Sequence, residues 1–302
     1  MRTKVFARVG ELIQGKLSPE EHFIIPGLIT SDFYTETFIG EKPVGEELKP
    51  AVKRAVVYFY RFIKGDSIDE LRTTMVPESD FDSYIDPLLN FTQVSNIPFG
   101  KGFTSMSADC LSALKAINEY EKAFLDNENL YQLASLCTVV DPCLENEIAQ
   151  IFDPVNGKRI FHLPEVNIAG LFFDTDADTI NHPTHLYDSL EYSELEMEQF
   201  TYLMEFYQQG LLINDLKPIF EATWKSAQIN ERFNKTKNLG LLKEYCDSQQ
   251  IGVFVSHVGS YAGVYGRPSV IENIKENFES FVEEKWNSKV YYASNHHDSV
   301  GI

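Results

Sequence analysis

The chain is 302 residues long, 43% apolar and 24% charged, the composition of a soluble globular protein with room for two modest domains or one large one. Its 26 Lys+Arg against 45 Asp+Glu leave a net charge of −19, which works against binding nucleic acid by phosphate neutralisation but permits one nucleotide held by local donors. No segment approaches a membrane span, no long apolar run follows the N-terminus, and the four cysteines (Cys110, Cys137, Cys143, Cys246) form no C-x-x-C pair, so the expectation is a cytoplasmic chain with reduced thiols.

Residues 5–9 read as a short strand, followed by Gly10-Glu11-Leu12-Ile13-Gln14-Gly15. Residues 22–25, ending at Pro26-Gly27, and residues 33–39 read as two more strands, together an antiparallel meander with glycine turns. Residues 46–64 place Ala51, Ala55, Val56, Phe59 and Phe62 on one side of an amphipathic helix. Residues 67–77 and 81–89 are ambiguous between helix and loop.

A β-rich segment at 94–97 leads into Pro98-Phe99-Gly100-Lys101-Gly102-Phe103-Thr104-Ser105-Met106-Ser107-Ala108-Asp109. Leu111, Leu114, Ile117 and Tyr120 then recur at three-residue steps, as one face of a helix requires. A Gly-rich turn entering a helix leaves several N–H groups unpaired at the positive end of the helix dipole, an arrangement that suits a phosphate. Gly100 and Gly102 would let the backbone approach an anion closely, and Ser105 and Ser107 can cap the helix or reach a phosphate or Mg²⁺. Spacing alone favours a helix entered through a polar turn with an ordinary serine cap over an anion site.

A linker at 126–129 and a helix at 130–139 precede Asp141-Pro142-Cys143-Leu144-Glu145. A hairpin turning at Asn156-Gly157 occupies 151–163, and Pro164-Glu165 reads as a joint between domains. The apolar run 168–173 reads as a buried strand that ends in Asp174-Thr175-Asp176-Ala177-Asp178-Thr179. That acidic stretch lacks the glycine and closing Glu of an EF-hand and reads as a solvated loop. His182 and His185 have no Cys or second His pair at zinc-ligand spacing, and His296-His297 lie in a tail. Helices at 190–209, 213–230 and 241–248 follow, then a strand at 251–255 and the glycine-rich stretch Ser256-His257-Val258-Gly259-Ser260-Tyr261-Ala262-Gly263. A helix at 268–286 and a strand at 289–293 finish the chain.

Residues 98–109 resemble the phosphate-binding motif of the GHMP kinases, the superfamily of galactokinase, homoserine kinase, mevalonate kinase and phosphomevalonate kinase. The Gly-Lys-Gly followed by Ser-x-Ser-Ala-Asp is most similar to the L-threonine kinase branch of cobalamin biosynthesis, with Phe103-Thr104 in place of Met-Ala and Met106-Ser107 in place of Ser-Thr. Gly10 to Gly15 resemble that branch's first motif, with Arg8-Val9 where Ser and Cys often stand, and residues 256–263 its third, with Val258 in place of Ser. Asp141-Pro142 match the start of the branch's Glu-Pro-Thr-Asp, but Leu144 occupies the place of the second acid.

The resemblance implies an α+β, two-domain fold: residues 1–164 an N-terminal β-rich nucleotide-binding domain carrying the phosphate loop, and residues 165–302 a C-terminal ferredoxin-like domain. It implies a phosphotransferase using ATP and Mg²⁺ and passing the γ-phosphoryl group to a hydroxyl of a small metabolite, by analogy L-threonine or a related hydroxy amino acid, in a chain compatible with a homodimer. It assigns Pro98, Gly100, Lys101, Gly102, Phe103, Thr104, Ser105 and Ser107 to the nucleotide and Ser105, Ser107 and Asp141 to the metal. Glu11, Gln14, His257, Gly259 and Ser260 fall to the acceptor, and Asp141, Asp109 and Lys101 to catalysis, with Glu145 a substitute for the missing acid. The competing expectation is a protein on the same fold that binds a nucleotide or metabolite without transferring phosphate.

Overall fold

The computed structural model describes residues 1–40, 45–84, 90–144, 150–178, 190–256 and 258–295. Glu145, Thr179, His182, His185, His257, His296 and His297 lie outside the described residues.

Two long strands, β1 (Arg2–Ser18) and β2 (Glu21–Gly40), form an antiparallel pair running from Arg2↔Phe38 to Ser18↔Glu21. The sequence suggests three short strands parted by glycine turns; instead the glycines lie inside the strands. Gly10 sits at φ +60, where a Cβ would come within 2.9 Å of Phe254 and of Val255 O, and a Cβ on Gly27 would lie 2.0 Å from Val9 O. They admit neighbouring backbone and bend the ribbon at register shifts, while buried Val9, Leu12, Ile13, Ile24, Ile25 and Leu28 keep both strands in the core.

The ribbon organises the rest. Beyond β2 lie β4 (Asn90–Ser95) and the two-residue β3 (Glu46–Glu47), and β5 (Gln150–Asp153) with β6 (Lys158–His162) attaches to β2 at Ile24↔Phe152. The C-terminal strands β7 (Ala169–Asp174), β8 (Gly252–Val255), β9 (Tyr261–Gly266) and β10 (Tyr291–Ser294) pair antiparallel in the order β10-β7-β9-β8. This set joins the ribbon at both ends, through Ser294↔Ile29 and through Glu11↔Val255. Glu11 therefore stands where the N-terminal and C-terminal strands meet. The joint expected at 164 falls between β6 and β7, and chain from both sides shares one hydrogen-bonded sheet.

The helix expected over 46–64 begins only at Pro50, since Glu46–Glu47 pair with β4 as β3; the other helices follow their sequence cues to within a few residues. α1 (Pro50–Ile63) opens on a proline and buries Val52, Ala55, Val56 and Phe59; α2 (Ile68–Thr73) starts in a Ser67–Glu70 capping box. A 3₁₀ turn (Glu78–Ser83) precedes β4, and α3 (Ser105–Glu121) and α4 (Asn127–Ser135) follow it. Between β7 and β8 come α5 (Glu194–Leu212), α6 (Leu216–Asn230) and α7 (Leu239–Gln249), and α8 (Pro268–Trp286) links β9 to β10. All four cysteines are free, Cys110 and Cys246 buried inside α3 and α7. Among the described residues no helix is long and apolar enough to cross a membrane.

Candidate active site

The start of α3 is built to leave main-chain donors open. Gly100 (φ +70), Gly102 (φ +82) and Thr104 (φ +50) all adopt left-handed backbone, turning the chain sharply into the helix. Thr104 is the N-cap, yet its side chain makes no cap bond; its Oγ1 accepts from the Arg8 N–H at 3.1 Å instead. The first intrahelical bond runs from Ala108 N–H to Thr104 O (2.9 Å), so the N–H groups of Ser105, Met106 and Ser107 lie ahead of the ladder. No acidic residue occupies that first turn, and the positive end of the helix faces a cleft.

The turn is pressed from behind. A Cβ on Gly102 would fall 1.8 Å from Ser256 Oγ and 2.0 Å from Val258 O, and one on Gly259 (φ +113) would fall 2.2 Å from the Lys101 carbonyl carbon. The two glycine-rich segments thus meet backbone to backbone. Phe103 fixes the turn from a third side, its ring 4.0 Å from that of Tyr261, 4.8 Å from Phe33 and 5.5 Å from Phe172 by centroid.

One cleft gathers Glu11, Gly100, residues 102–107, Thr138, Val139, Asp141 and Val258. Ser107 Oγ donates to Val139 O (3.1 Å), accepts from the Asp141 N–H (3.1 Å) and lies 3.5 Å from Asp141 Oδ2. Burial pushes the Asp141 carboxyl up to about 8, and the Glu11 carboxylate adds to that; Arg8 and the Ser107 hydroxyl act against it. The fully buried Arg8 donates through Nε to Pro142 O (2.7 Å) and through Nη1 to Gly27 O (2.8 Å), stapling the acidic loop onto β1 and β2. Sequence reasoning gave Arg8 no role. Its signal was an arginine set between Ala7 and Val9 in an otherwise apolar strand.

Other residues expected at the site lie elsewhere. Lys101 does not turn its ammonium toward the cleft: Nζ donates to Asp176 O (2.9 Å) and Ala177 O (2.7 Å) and pairs with Asp174 Oδ2 (3.2 Å). Asp174, Asp176 and Ala177 of the acidic stretch, expected to be a solvated loop, hold this lysine, while Ala177 and Asp178 remain exposed. Lys101→Met would leave Asp174 without its buried partner and is expected to lower unfolding free energy by about 3 kcal/mol in a denaturant titration. Asp109 follows Ser107 by two residues, about 200° round the helix, and accepts from Thr35 Oγ1 (2.6 Å) and Lys49 Nζ (2.6 Å) on the wall of a separate cleft with Gly45 and Gln93. Ser260 donates to Asp174 and, like Gly259, supports the loop rather than lining the cleft; Pro98 stands at the loop's entry.

Gln14 is also absent from the cleft lining. Its N–H donates to Ser226 Oγ (3.1 Å), its carbonyl accepts from Asn230 Nδ2 (2.9 Å), and its buried side-chain amide has no hydrogen-bond partner among the described residues. An unpaired buried polar group costs about 1–3 kcal/mol. Gln14→Met is therefore expected to raise the melting temperature by about 2–4 °C, read by calorimetry.

No protein-family model matches the sequence, and no curated protein matches it. The likeness lies in the fold. Homoserine kinase from Cytophaga hutchinsonii superposes with a TM-score of 0.62 at 13% identity, over 98% of this chain and 96% of that one. Mevalonate pyrophosphate decarboxylase from Streptococcus pyogenes gives 0.67 at 12%, over 100% and 98%, and the Methanococcus jannaschii mevalonate kinase gives 0.61 at 12%, over 98% of each chain. This chain shares the fold of those proteins. The superpositions run nearly end to end, so the shared fold takes in both the ribbon and the β7–β10 set.

Proposed function

We propose that this chain is an ATP-dependent kinase of the GHMP type, transferring the γ-phosphoryl group to the hydroxyl of a small metabolite, by resemblance L-threonine or a related hydroxy amino acid. One observation carries the reading: the uncapped start of α3, reached through three left-handed residues, opens on the same cleft as Ser107, Asp141 and Glu11. Main-chain donors that would hold a polyphosphate thus line the same cleft as oxygen groups that could ligate a cation. The near end-to-end likeness to two kinases of small hydroxyl compounds supports it, and the β10-β7-β9-β8 order suits the ferredoxin-like second domain.

The donor set fits Mg²⁺. Asp141, Ser105 and Ser107 offer hard oxygen ligands only, and Mg²⁺ commonly takes one or two carboxylates and completes its shell with phosphate and water. Among the described residues no group of three or more His, Cys, Asp or Glu could hold a metal by itself. Bound there, Mg²⁺ would draw charge from the bridging and terminal phosphate oxygens. Main-chain N–H groups at 105–107 would hold the phosphates, and Phe103 would keep the turn from shifting. Glu11, at the seam of the two strand sets, would face the acceptor. The Lys101 side chain and Asp109 take no part in this assignment.

Titration calorimetry with Mg·ATP, paired with an ADP-release assay over hydroxy amino acids, tests the reading. Acceptor-dependent ADP release supports it; failure to bind Mg·ATP overturns it. Leu144, standing where a second acid is expected, favours a second reading of binding without transfer, which predicts calorimetric binding and no acceptor-dependent release.

A further inference from the structure

We propose that Asn234 is a positioning residue that sets the phosphate turn at 100–104 without touching it; this rests on the reading that the turn binds a nucleotide. Asn234 follows α6, its N–H bonded to Asn230 O at 3.1 Å. Its Nδ2 donates to two carbonyls of one loop, Ser256 O at 2.9 Å and Gly259 O at 2.8 Å. A single NH₂ group thus holds two acceptors three residues apart in the sequence. Ser256, Val258 and Gly259 are also the residues against which the phosphate turn packs. Gly259 meets the Lys101 carbonyl, Val258 O and Ser256 meet Gly102, and neither contact leaves space for a methyl group. The Ser256 hydroxyl, 2.6 Å from Val258 O and 3.2 Å from Gly102 O, bridges the two layers.

Asn234 therefore bonds Ser256 and Gly259, which in turn pack against Gly102 and Lys101 of the turn, while Val258 also reaches the cleft. Close-packed layers transmit displacement, since no void absorbs it. Two residues inside α6 also tie down β1. Ser226, Asn230 and Asn234 recur at four-residue steps; Ser226 accepts from the Gln14 N–H, and Asn230 donates to Gln14 O and accepts from Tyr192. One row of short polar side chains thereby registers β1, near Glu11, against the loop that backs the phosphate turn. The Nδ2 of position 234 must supply two donors, because it meets two carbonyl oxygens. Asp there would set lone pairs against lone pairs.

The test compares wild type with Asn234→Asp and Asn234→Leu by calorimetry with Mg·ADP, by steady-state kinetics where turnover is seen, and by amide exchange at 101–105 in the ligand-free protein. The expected result is a loss of about tenfold or more in Mg·ADP affinity, with kcat falling, the KM for the acceptor unchanged within about twofold, and faster exchange confined to the turn and the 256–260 loop. A lower melting temperature with nucleotide affinity and exchange at 101–105 unchanged would mark a purely structural role and overturn the proposal. If Asn234→Asp and Asn234→Leu do not fold, Asn234→Ser carries the same comparison with the same criteria. If wild type binds no Mg·ADP, the nucleotide reading falls by itself. The exchange arm then still decides whether Asn234 governs the turn.

Discussion

Asp141→Asn is expected to raise the melting temperature of the ligand-free protein while lowering phosphoryl transfer by about 10²–10³-fold. The two effects share a cause. The Asp141 carboxyl is pushed up to about 8 by burial and by the Glu11 carboxylate, with Arg8 and the Ser107 hydroxyl opposing. Its folded value thus exceeds the 3.8 of a free Asp, so the folded protein holds a proton that the unfolded chain has released. Stability from this group is fully present below about pH 4 and declines as pH rises toward about 8. Asn is neutral throughout. The variant's advantage should be absent near pH 4, grow across that interval, and level off above pH 8. Calorimetry of both proteins at pH 5 and pH 8 measures the difference; a constant offset would mean Asp141 is ionised in the empty cleft. Glu11→Gln should shrink the advantage, because it removes the nearby charge that adds to burial. A cation entering the cleft must displace that proton, so Mg·ATP affinity of the wild type should climb with pH up to about 8 and then flatten. The strain of a carboxyl held against its charged form is what a metal would relieve.

Local patterns were legible wherever one segment answered for itself. The 268–286 helix opens on Pro268 and carries buried Ile271, Ile274, Phe278 and Val282 at helical spacing, so its limits could be read directly. The turn at 100–104 showed its glycines, and the missing side chains of Gly100 and Gly102 permit the left-handed backbone found there. Long-range decisions were not legible. Whether Gly10 and Gly15 turn the chain or make room for a neighbour depends on Phe254 of β8 and Phe200 of α5, more than 180 residues away. Lys101 reads as a phosphate partner until the loop after β7 supplies two carbonyls and a carboxylate at closer quarters. Asp109 stands in motif register, but helical rotation carries it to Thr35 and Lys49. Arg8 was concealed differently. Its cation lies fully buried in an apolar strand because Pro142 and Gly27 offer carbonyls there, and neither is adjacent in sequence.

Gly102→Ala is the substitution expected to damage nucleotide binding most, by about a hundredfold or more. Two costs act at once. At φ +82 an alanine is strained whatever surrounds it, by about 1–2 kcal/mol. Its methyl would also arrive 1.8 Å from Ser256 Oγ and 2.0 Å from Val258 O. The hydroxyl can rotate aside; the carbonyl belongs to backbone and cannot. The turn must therefore part from the 256–259 loop, and the N–H groups at the start of α3 move off their aim with it. Gly240→Ala is the control: nothing lies within 4 Å of its added Cβ inside α7, and alanine is the better helix former, so stability should hold or rise by up to about 1 kcal/mol with binding unchanged. Gly102→Ala combined with Ser256→Ala separates the two contacts. Removing the hydroxyl relieves the 1.8 Å clash but leaves Val258 O at 2.0 Å and the Cβ of residue 256 at 2.7 Å, so the double variant should recover a minor part of the lost affinity. Full recovery would show that the Val258 carbonyl yields, and that the turn is set by side chains rather than by the backbone behind it.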